Sequence, residues 1–411
     1  MFLCPRPVLK KLLTSVLALL LLLPGGAEAR GEGRDITAKC DISTSGLRRE
    51  WKKALDRRYK TFFARYNNRE MEVQVRLPKG TREGGLYLCF YVEPEELRVY
   101  GDGEEEPFFT QSGPGYAHRY IPFEGRKSLR LVLRGAKKTG FALSEFFVTS
   151  GSTPPDFVQR WEPPLERADM LVLVAHPDDK LLWMGGALPY YAVERGMDVA
   201  VAYMTCANPM RRSEMLNGLW TAGIRHYPYI GSFRDKRKQG IAKSIQLWGG
   251  MEKVEAYIVA LYRRLKPQVV LSHDLNGEYG HPAHVVTARG AAAALELAAD
   301  PKAFIESAEA FGTWNVPKLY LHLYQENALE MDWGKPFASL GGVSPIEKTS
   351  EAFSMHRSQR ARFSVETGGP YSSARFGLLR SLVGDDQDKN DFFENISIKH
   401  GVLSDAGEKK P

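Results

Sequence analysis

Met170-Leu-Val-Leu-Val-Ala-His-Pro-Asp-Asp-Lys-Leu-Leu-Trp-Met-Gly-Gly186 is the stretch whose reading decides the fold. Five apolar residues, Met170 to Val174, bounded by Ala175, have the length and β-rich content of a strand buried on both faces of a parallel sheet. Pro177 cannot donate a ladder hydrogen bond, so the strand ends at His176-Pro-Asp-Asp179 and a loop begins. A helical pattern from about Lys180 to Glu194 follows, closed by Gly196. One histidine and two carboxylates therefore stand at the carboxyl end of a buried strand, where open α/β sheets place their active sites. The plainer alternative is that Asp178 and Asp179 only cap the next helix. A cap needs one carboxylate, and here two stand beside a histidine.

Outward from this stretch the texture stays α/β. Val199–Thr205, Arg225–Ile230, Gln268–His273 and Lys318–Tyr324 read as further strands. Arg211–Ala222, Val254–Leu265 and His284–Ala299 read as helices between them. This alternation predicts a doubly wound, mostly parallel, Rossmann-like sheet over residues 165–360. Upstream, short alternating runs from Met71 to Thr149, separated by Gly and Pro turns, predict a β-sandwich of jelly-roll type over 35–150. Gly151-Ser-Thr-Pro-Pro and Pro163-Pro164 read as the linker. Residues 361–411 read as a C-terminal extension.

The chain has 411 residues, of which 43% are hydrophobic and 26% charged, an ordinary globular composition. Its start reads as a cleavable signal peptide over residues 1–29. Arg6, Lys10 and Lys11 precede an apolar run, Leu12–Leu23, and Ala27-Glu-Ala29 is a small-x-small cleavage site. The run is shorter than the ~20 residues of a membrane-spanning helix. The expectation is a secreted or periplasmic protein with no stable membrane span. Loss of Arg6, Lys10, Lys11 and Glu28 lowers the formal charge from +7 to +5. The scattered basic residues give no nucleic-acid footprint. Four cysteines include no C-x-x-C pair, which argues against a thiolate zinc cluster. Cys4 leaves with the signal, and a Cys40–Cys89 pairing is left open.

A second polar cluster follows the fourth strand: Ser272-His-Asp-Leu-Asn-Gly-Glu-Tyr-Gly-His-Pro-Ala-His284. His281 and His284 stand three apart at a helix entry, so both can face one pocket. If the two strands are neighbours, His176, Asp179 and His284 converge. Two imidazoles, a carboxylate and an open position make a catalytic zinc pattern. The alternative is that these histidines are satisfied separately, but three of the nine histidines fall in two strand-end loops.

The sequence resembles the PIG-L/LmbE-like metal-dependent de-N-acetylases. The resemblance rests on Ala175-His-Pro-Asp-Asp179 and Tyr279-Gly-His-Pro-Ala-His284. Arg211-Arg-Ser-Glu214, Thr221-Ala-Gly223 and Lys318–Asn327 support it, and it spans about residues 168–360. It implies a hydrolase acting on linear amides that removes acetyl groups from N-acetylglucosamine-type sugars of a glycan or glycoconjugate. It implies His176, Asp179 and His284 as ligands of Zn2+ or another divalent metal, and Asp178 as the general base. His281 and Tyr279 would assist catalysis. Arg211, Arg212 and Lys180 would form the substrate-binding set, with Glu214 orienting the arginine. The loop Phe233–Lys243 would shape the acceptor pocket. Two departures stand out. Lys180 replaces a usual Glu, and Ala283 replaces a common Asp. A cation beside the metal is tolerable only if it points away or is paired. A degenerate, Lys180-containing member that binds carbohydrate without hydrolysis is the alternative, and a non-sugar amidohydrolase is a third reading.

Overall fold

The computed structural model describes residues 33–113, 115–206, 208–235 and 240–397. The expected signal peptide lies outside the described residues. No helix among the described residues is long and apolar enough to cross a membrane.

The protein is a mixed α/β structure. One sheet has seven strands in the order Tyr229–Ile230, Val199–Tyr203, Met170–Val174, Val269–Ser272, Lys318–His322, Arg375–Ser381, Ala328–Glu330. The first five run parallel, Arg375–Ser381 runs against them, and Ala328–Glu330 pairs antiparallel to Arg375–Ser381 at the edge. Met170–Val174 lies in the middle and is buried throughout. Its alternate residues enter two different cores. Met170, Val172 and Val174 pack with Leu181, Met215, Leu219 and Phe353. Leu171, Leu173 and Ala175 pack with Ile258, Tyr262, Val286 and Leu295 on the other face. A strand covered on both sides has no polar alternation, which is why its sequence is a continuous apolar run. The chain moves outward from this strand to one side and then returns to Val269–Ser272 on the other. The loops after these two adjacent strands therefore open at the point where strand order reverses.

The helix expected over Lys180–Glu194 is instead broken. A single turn, Asp179–Leu182, is followed by Gly185, then Ala187–Pro189 and a π-helical turn at Tyr190–Glu194. Gly185 has φ +52°, and a Cβ there would lie 2.4 Å from the Ser373 carbonyl oxygen and 2.5 Å from the Trp333 indole nitrogen. Close approach of the 333 and 373 segments, not local propensity, sets this break. The third strand shortens to Tyr229–Ile230, with His226 forming only an isolated bridge to Glu162.

Upstream, two five-stranded antiparallel sheets face one core. One contains Glu70–Arg76, Glu96–Tyr100 and Ser128–Arg134; the other contains Gly84–Val92, His118–Pro122 and Phe141–Ser150. Val73, Val75, Leu131 and Leu133 meet Leu86, Leu88, Phe146 and Val148 between them. Cys40 and Cys89 are both free thiols, so the open pairing does not form.

The expected boundary at residue 360 requires correction. Arg375–Ser381 inserts into the seven-stranded sheet beside Lys318–His322. The following loop brings buried Asp386 onto the Lys318 ammonium and the Tyr320 hydroxyl. Phe392 and Phe393 join the same core as the central strand. Thus residues 361–397 complete the α/β unit. Replacing Asp386 by Ala leaves a buried ammonium and hydroxyl without their acceptor. We expect a loss of about 3–5 kcal/mol in denaturant unfolding.

Candidate metal centre

His176, Asp178 and Asp179 follow the central strand, and His281 and His284 open the helix Pro282–Ala299 beyond the neighbouring strand. The structure brings them together. His176 Nδ1 lies 3.1 Å from His284 Nε2 and 3.1 Å from Asp179 Oδ2, and His284 Nε2 lies 3.3 Å from Asp179 Oδ2. All three residues are buried. Bonds of ~2.0–2.2 Å to zinc in a tetrahedron separate neighbouring donors by ~3.3–3.6 Å. The three atoms are therefore spaced as ligands of one ion, within a few tenths of an ångström. His281 belongs to the same cluster, its ring centroid 4.7 Å from that of His176 and 4.5 Å from that of His284.

A carboxylate missed in the sequence holds these rings. Glu278 has no solvent exposure. Its Oε2 lies 2.9 Å from His273 Nδ1 and 2.7 Å from His284 Nδ1, and its Oε1 lies 2.8 Å from His322 Nδ1. A proton held at Nδ1 of His284 leaves Nε2 as the donor atom facing Asp179 and His176. His273 is close enough to join a metal site by distance, with Nε2 3.3 Å from Asp179 Oδ2. However, that nitrogen accepts the Ala175 backbone N–H at 2.9 Å. Burial opposes protonation of His273, while Glu278 and Asp179 favour it, and the Ala175 N–H decides between them by using the Nε2 lone pair. Only the neutral ring has the Nε2 lone pair that Ala175 uses, so the hydrogen bond identifies a neutral Nδ1–H ring and a positioning role.

Electrostatics point the same way. Burial disfavours a charged His176, but Asp179 outweighs it and draws the ring up to about 10. A buried carboxylate demands a positive partner, and a proton on His176 or a cation among the donors meets that demand. Burial, then His176 and His284, push His281 down to about 3, so its ring is neutral near pH 7. Tyr279 adopts φ +47° between Gly277 and Gly280 and is 47% exposed, leaving its ring over the rim of the cluster. Left-handed geometry at a tyrosine costs about 1 kcal/mol or more and marks a shaped loop. Burial raises its phenol above the ordinary value, so it stays a donor.

A cavity of about 440 Å³ opens beside His176, lined by Cys206, Arg211, Asp235, Gln359 and Arg362 among others. Arg211 donates to Asp178 Oδ1 at its edge. Asp235, another residue the sequence did not signal, lies 3.6 Å from His176 Nε2. It is the described part of the Phe233–Lys243 loop that reaches the cavity. Residues 236–239 lie outside the described residues.

Three expectations need correction. Arg212 does not face this cavity: its guanidinium bonds the Tyr91 carbonyl at 3.1 Å and pairs with Glu93 at 2.9 Å, both in the upstream β-unit. Lys180 is fully buried and turned away, donating to the Pro177 carbonyl and contacting His356 Nε2, each at 2.7 Å. Burial pushes its ammonium down to about 7. Glu214 accepts from the Ser358 amide at 2.9 Å and its hydroxyl at 2.5 Å, so it fixes the cavity wall and does not orient Arg211.

Residues 171–295 match the family model described as PIG-L: GlcNAc-PI de-N-acetylase. The chain is 29% identical over 208 residues to 1D-myo-inositol 2-acetamido-2-deoxy-alpha-D-glucopyranoside deacetylase 1 of Catenulispora acidiphila, covering 44% of this chain and 61% of that protein. It is 31% identical over 189 residues to the similarly named deacetylase of Rhodococcus opacus, covering 39% and 63%. The chain thus spans about three-fifths of the length of these relatives. Among solved structures, an N,N'-diacetylchitobiose deacetylase from Pyrococcus horikoshii aligns with TM-score 0.35 and 19% identity, over 48% of this chain and 72% of that one. Residues 171–295 are thus similar to the PIG-L family, and the candidate His/Asp metal site lies within them.

Glu278→Gln keeps the size of the side chain but removes the charge that holds the imidazoles. We expect zinc affinity, measured by competition with a chelator, to fall roughly 10–100-fold. His284→Ala should leave the purified chain without bound metal.

Proposed function

We propose that this protein is a metal-dependent hydrolase that removes the acetyl group from an N-acetylglucosamine-type sugar of a glycan or glycoconjugate. The observation that carries the reading is the trio of buried donor atoms on His176, Asp179 and His284, 3.1–3.3 Å apart, beside a cavity whose lining residue Arg211 reaches Asp178. The PIG-L match and the names of the relatives support the choice of an amide on an amino sugar.

His176, Asp179 and His284 would hold the ion, and two imidazoles with one carboxylate favour zinc. Such an ion supplies a Lewis acid for the amide carbonyl and lowers the pKa of water toward ~7. The chain's own residues do the rest. Asp178 takes a proton from the attacking water, with Arg211 holding its Oδ1. The Tyr279 phenol and the neutral His281 ring offer donors to the oxygen that becomes negative as the carbonyl carbon turns tetrahedral. Collapse breaks the C–N bond, the proton passes to the departing amine, and acetate and free amino sugar leave. Trp183 donates to Asp179 Oδ1 at 3.2 Å, fixing which oxygen faces the other donors.

A binding protein without hydrolysis has two grounds, Lys180 and the added β-module. Burial of Lys180 against Pro177 and His356 takes the cation away from the donor cluster and removes the first of them. The basic and apolar residues before Arg30 support export, so we read the working compartment as periplasmic or extracellular.

The test is acetate release from N-acetylglucosamine derivatives by the mature chain. Activity should vanish on chelation and return with zinc. Asp178→Ala should retain metal while losing roughly 10²–10⁴-fold in kcat. A near-normal rate in that variant would remove Asp178 from the base role. Zinc-loaded chain that releases no acetate from any amino sugar would overturn the assignment.

A further inference from the structure

The upstream β-unit turns one sheet face toward the α/β unit. On that face Phe147 pairs with Tyr87 and Glu145 with Cys89 across neighbouring strands. Facing them is the helix Pro209–Thr221, and between lies a cavity of about 430 Å³ lined by Ser213, Asn217 and Trp220 of that helix. This volume falls within the ~300–1,000 Å³ of ligand pockets.

Two independent features mark the cavity as built for a guest. Glu145 is 4% exposed, yet its Oε1 has no hydrogen-bond partner, while Oε2 accepts the Arg57 amide at 3.2 Å. An orphaned buried acceptor calls for a donor. At the rim, the Phe157 ring is 43% exposed and leans on Phe147, with centroids 5.0 Å apart. Asn217 Oδ1 already accepts from Gln159 at 2.6 Å, which turns its NH2 donors elsewhere. Glu145 and Asp156 disfavour an anion here, and Arg57 and Arg357 disfavour a cation. The complement of such a lining is a neutral molecule with hydroxyls on its edge and C–H groups on its faces, which is a pyranose.

We propose that this seam cavity is a second saccharide-binding site, taking a neutral pyranose unit of the same chain that is deacetylated at the metal centre. The substrate is then an oligosaccharide and not a single sugar. The choice of ligand rests on the deacetylase reading above. Two segments separate the cavities and line both. Met210 and Arg211 face the metal-side cavity, and Ser213 and Asn217 face the seam. Likewise, Gln359 and Arg362 face the first, and Met355 and Arg357 the second.

The test is calorimetric titration of the full mature Asp178→Ala chain with N-acetylglucosamine and its oligomers up to the hexasaccharide. Oligomers should bind more tightly than the monosaccharide. Adding Phe157→Ala, at a 43% exposed position, should keep a cooperative melting transition and weaken oligomer binding about tenfold, or ~1.4 kcal/mol, without altering monosaccharide binding. Glu145→Gln should act in the same direction. Equal oligomer affinity with and without these changes, or no gain with chain length, overturns the second site. Acetate release by the chain with native Asp178 reports separately on the metal centre. Phe157-dependent binding without acetate release from any oligomer would sink the deacetylase reading while the seam site stands.

Discussion

Glu278 stands with no exposure to water among the Nδ1 atoms of His273, His284 and His322. Burial alone would raise its pKa, but His273 and the imidazole N–H groups turned toward it hold it well below the usual carboxylate range. A buried charge of this kind survives only when each lone pair has a partner. Its partners come from three places: the end of one central strand, the start of the following helix, and the end of the next strand. One carboxylate therefore ties together three elements and sets the ring orientations. Those orientations aim His284 Nε2 at Asp179 and His176. The donor spacing at the metal centre is a consequence of this constraint.

The sheet that carries the site was legible because its central strand is covered on both faces. Burial of that kind suppresses polar residues, and the polar burst at His176–Asp179 then marks the strand's carboxyl end. The same logic applied to Lys318-Leu-Tyr-Leu-His322 points to His322, which does join the cluster. What local pattern could not reveal depends on contacts far away in sequence. Nothing in Asn276-Gly-Glu-Tyr-Gly distinguishes Glu278 from a solvated loop acid until the strands on either side are placed. The strand Arg375–Ser381 escaped because Gly377 interrupts it, and that glycine passes against the Tyr324 carbonyl, which a Cβ would approach to 2.2 Å.

Lys180 illustrates the same limit at the level of one side chain. Sequence places a cation next to two acids, and Coulomb repulsion of a metal is the natural inference. The turn Asp179–Leu182 is short, and Lys180 leaves it toward Pro177 and His356. Its ammonium meets the carbonyl of Pro177 and the ring of His356, supplied by a segment 176 residues away. His356 remains neutral, since burial and Lys180 both push its pKa far down, and so it serves as an acceptor. The pairing converts a cation expected beside the donor cluster into a cross-link between the site loop and the segment 355–362 that walls the cavity.

That wall and the helix Pro209–Thr221 explain why the upstream β-unit is more than an attachment. Successive residues of the helix face different structures: Arg211 meets Asp178 at the metal centre, and Arg212 meets Tyr91 and Glu93 across the seam. Glu214, fully buried, fixes Ser358 in the opposite wall. Tyr116 of the β-unit stacks on Tyr227 with centroids 4.6 Å apart, adding a second point of attachment. A helix cannot rotate to favour one of these contacts without losing the others, because its side chains are fixed at about 100° per residue. The position of Arg211 over Asp178 is therefore set in part by the β-unit, through the residue next to it. Geometry at the candidate site depends on a surface more than 100 residues earlier in the chain, and that dependence is carried by a single helix.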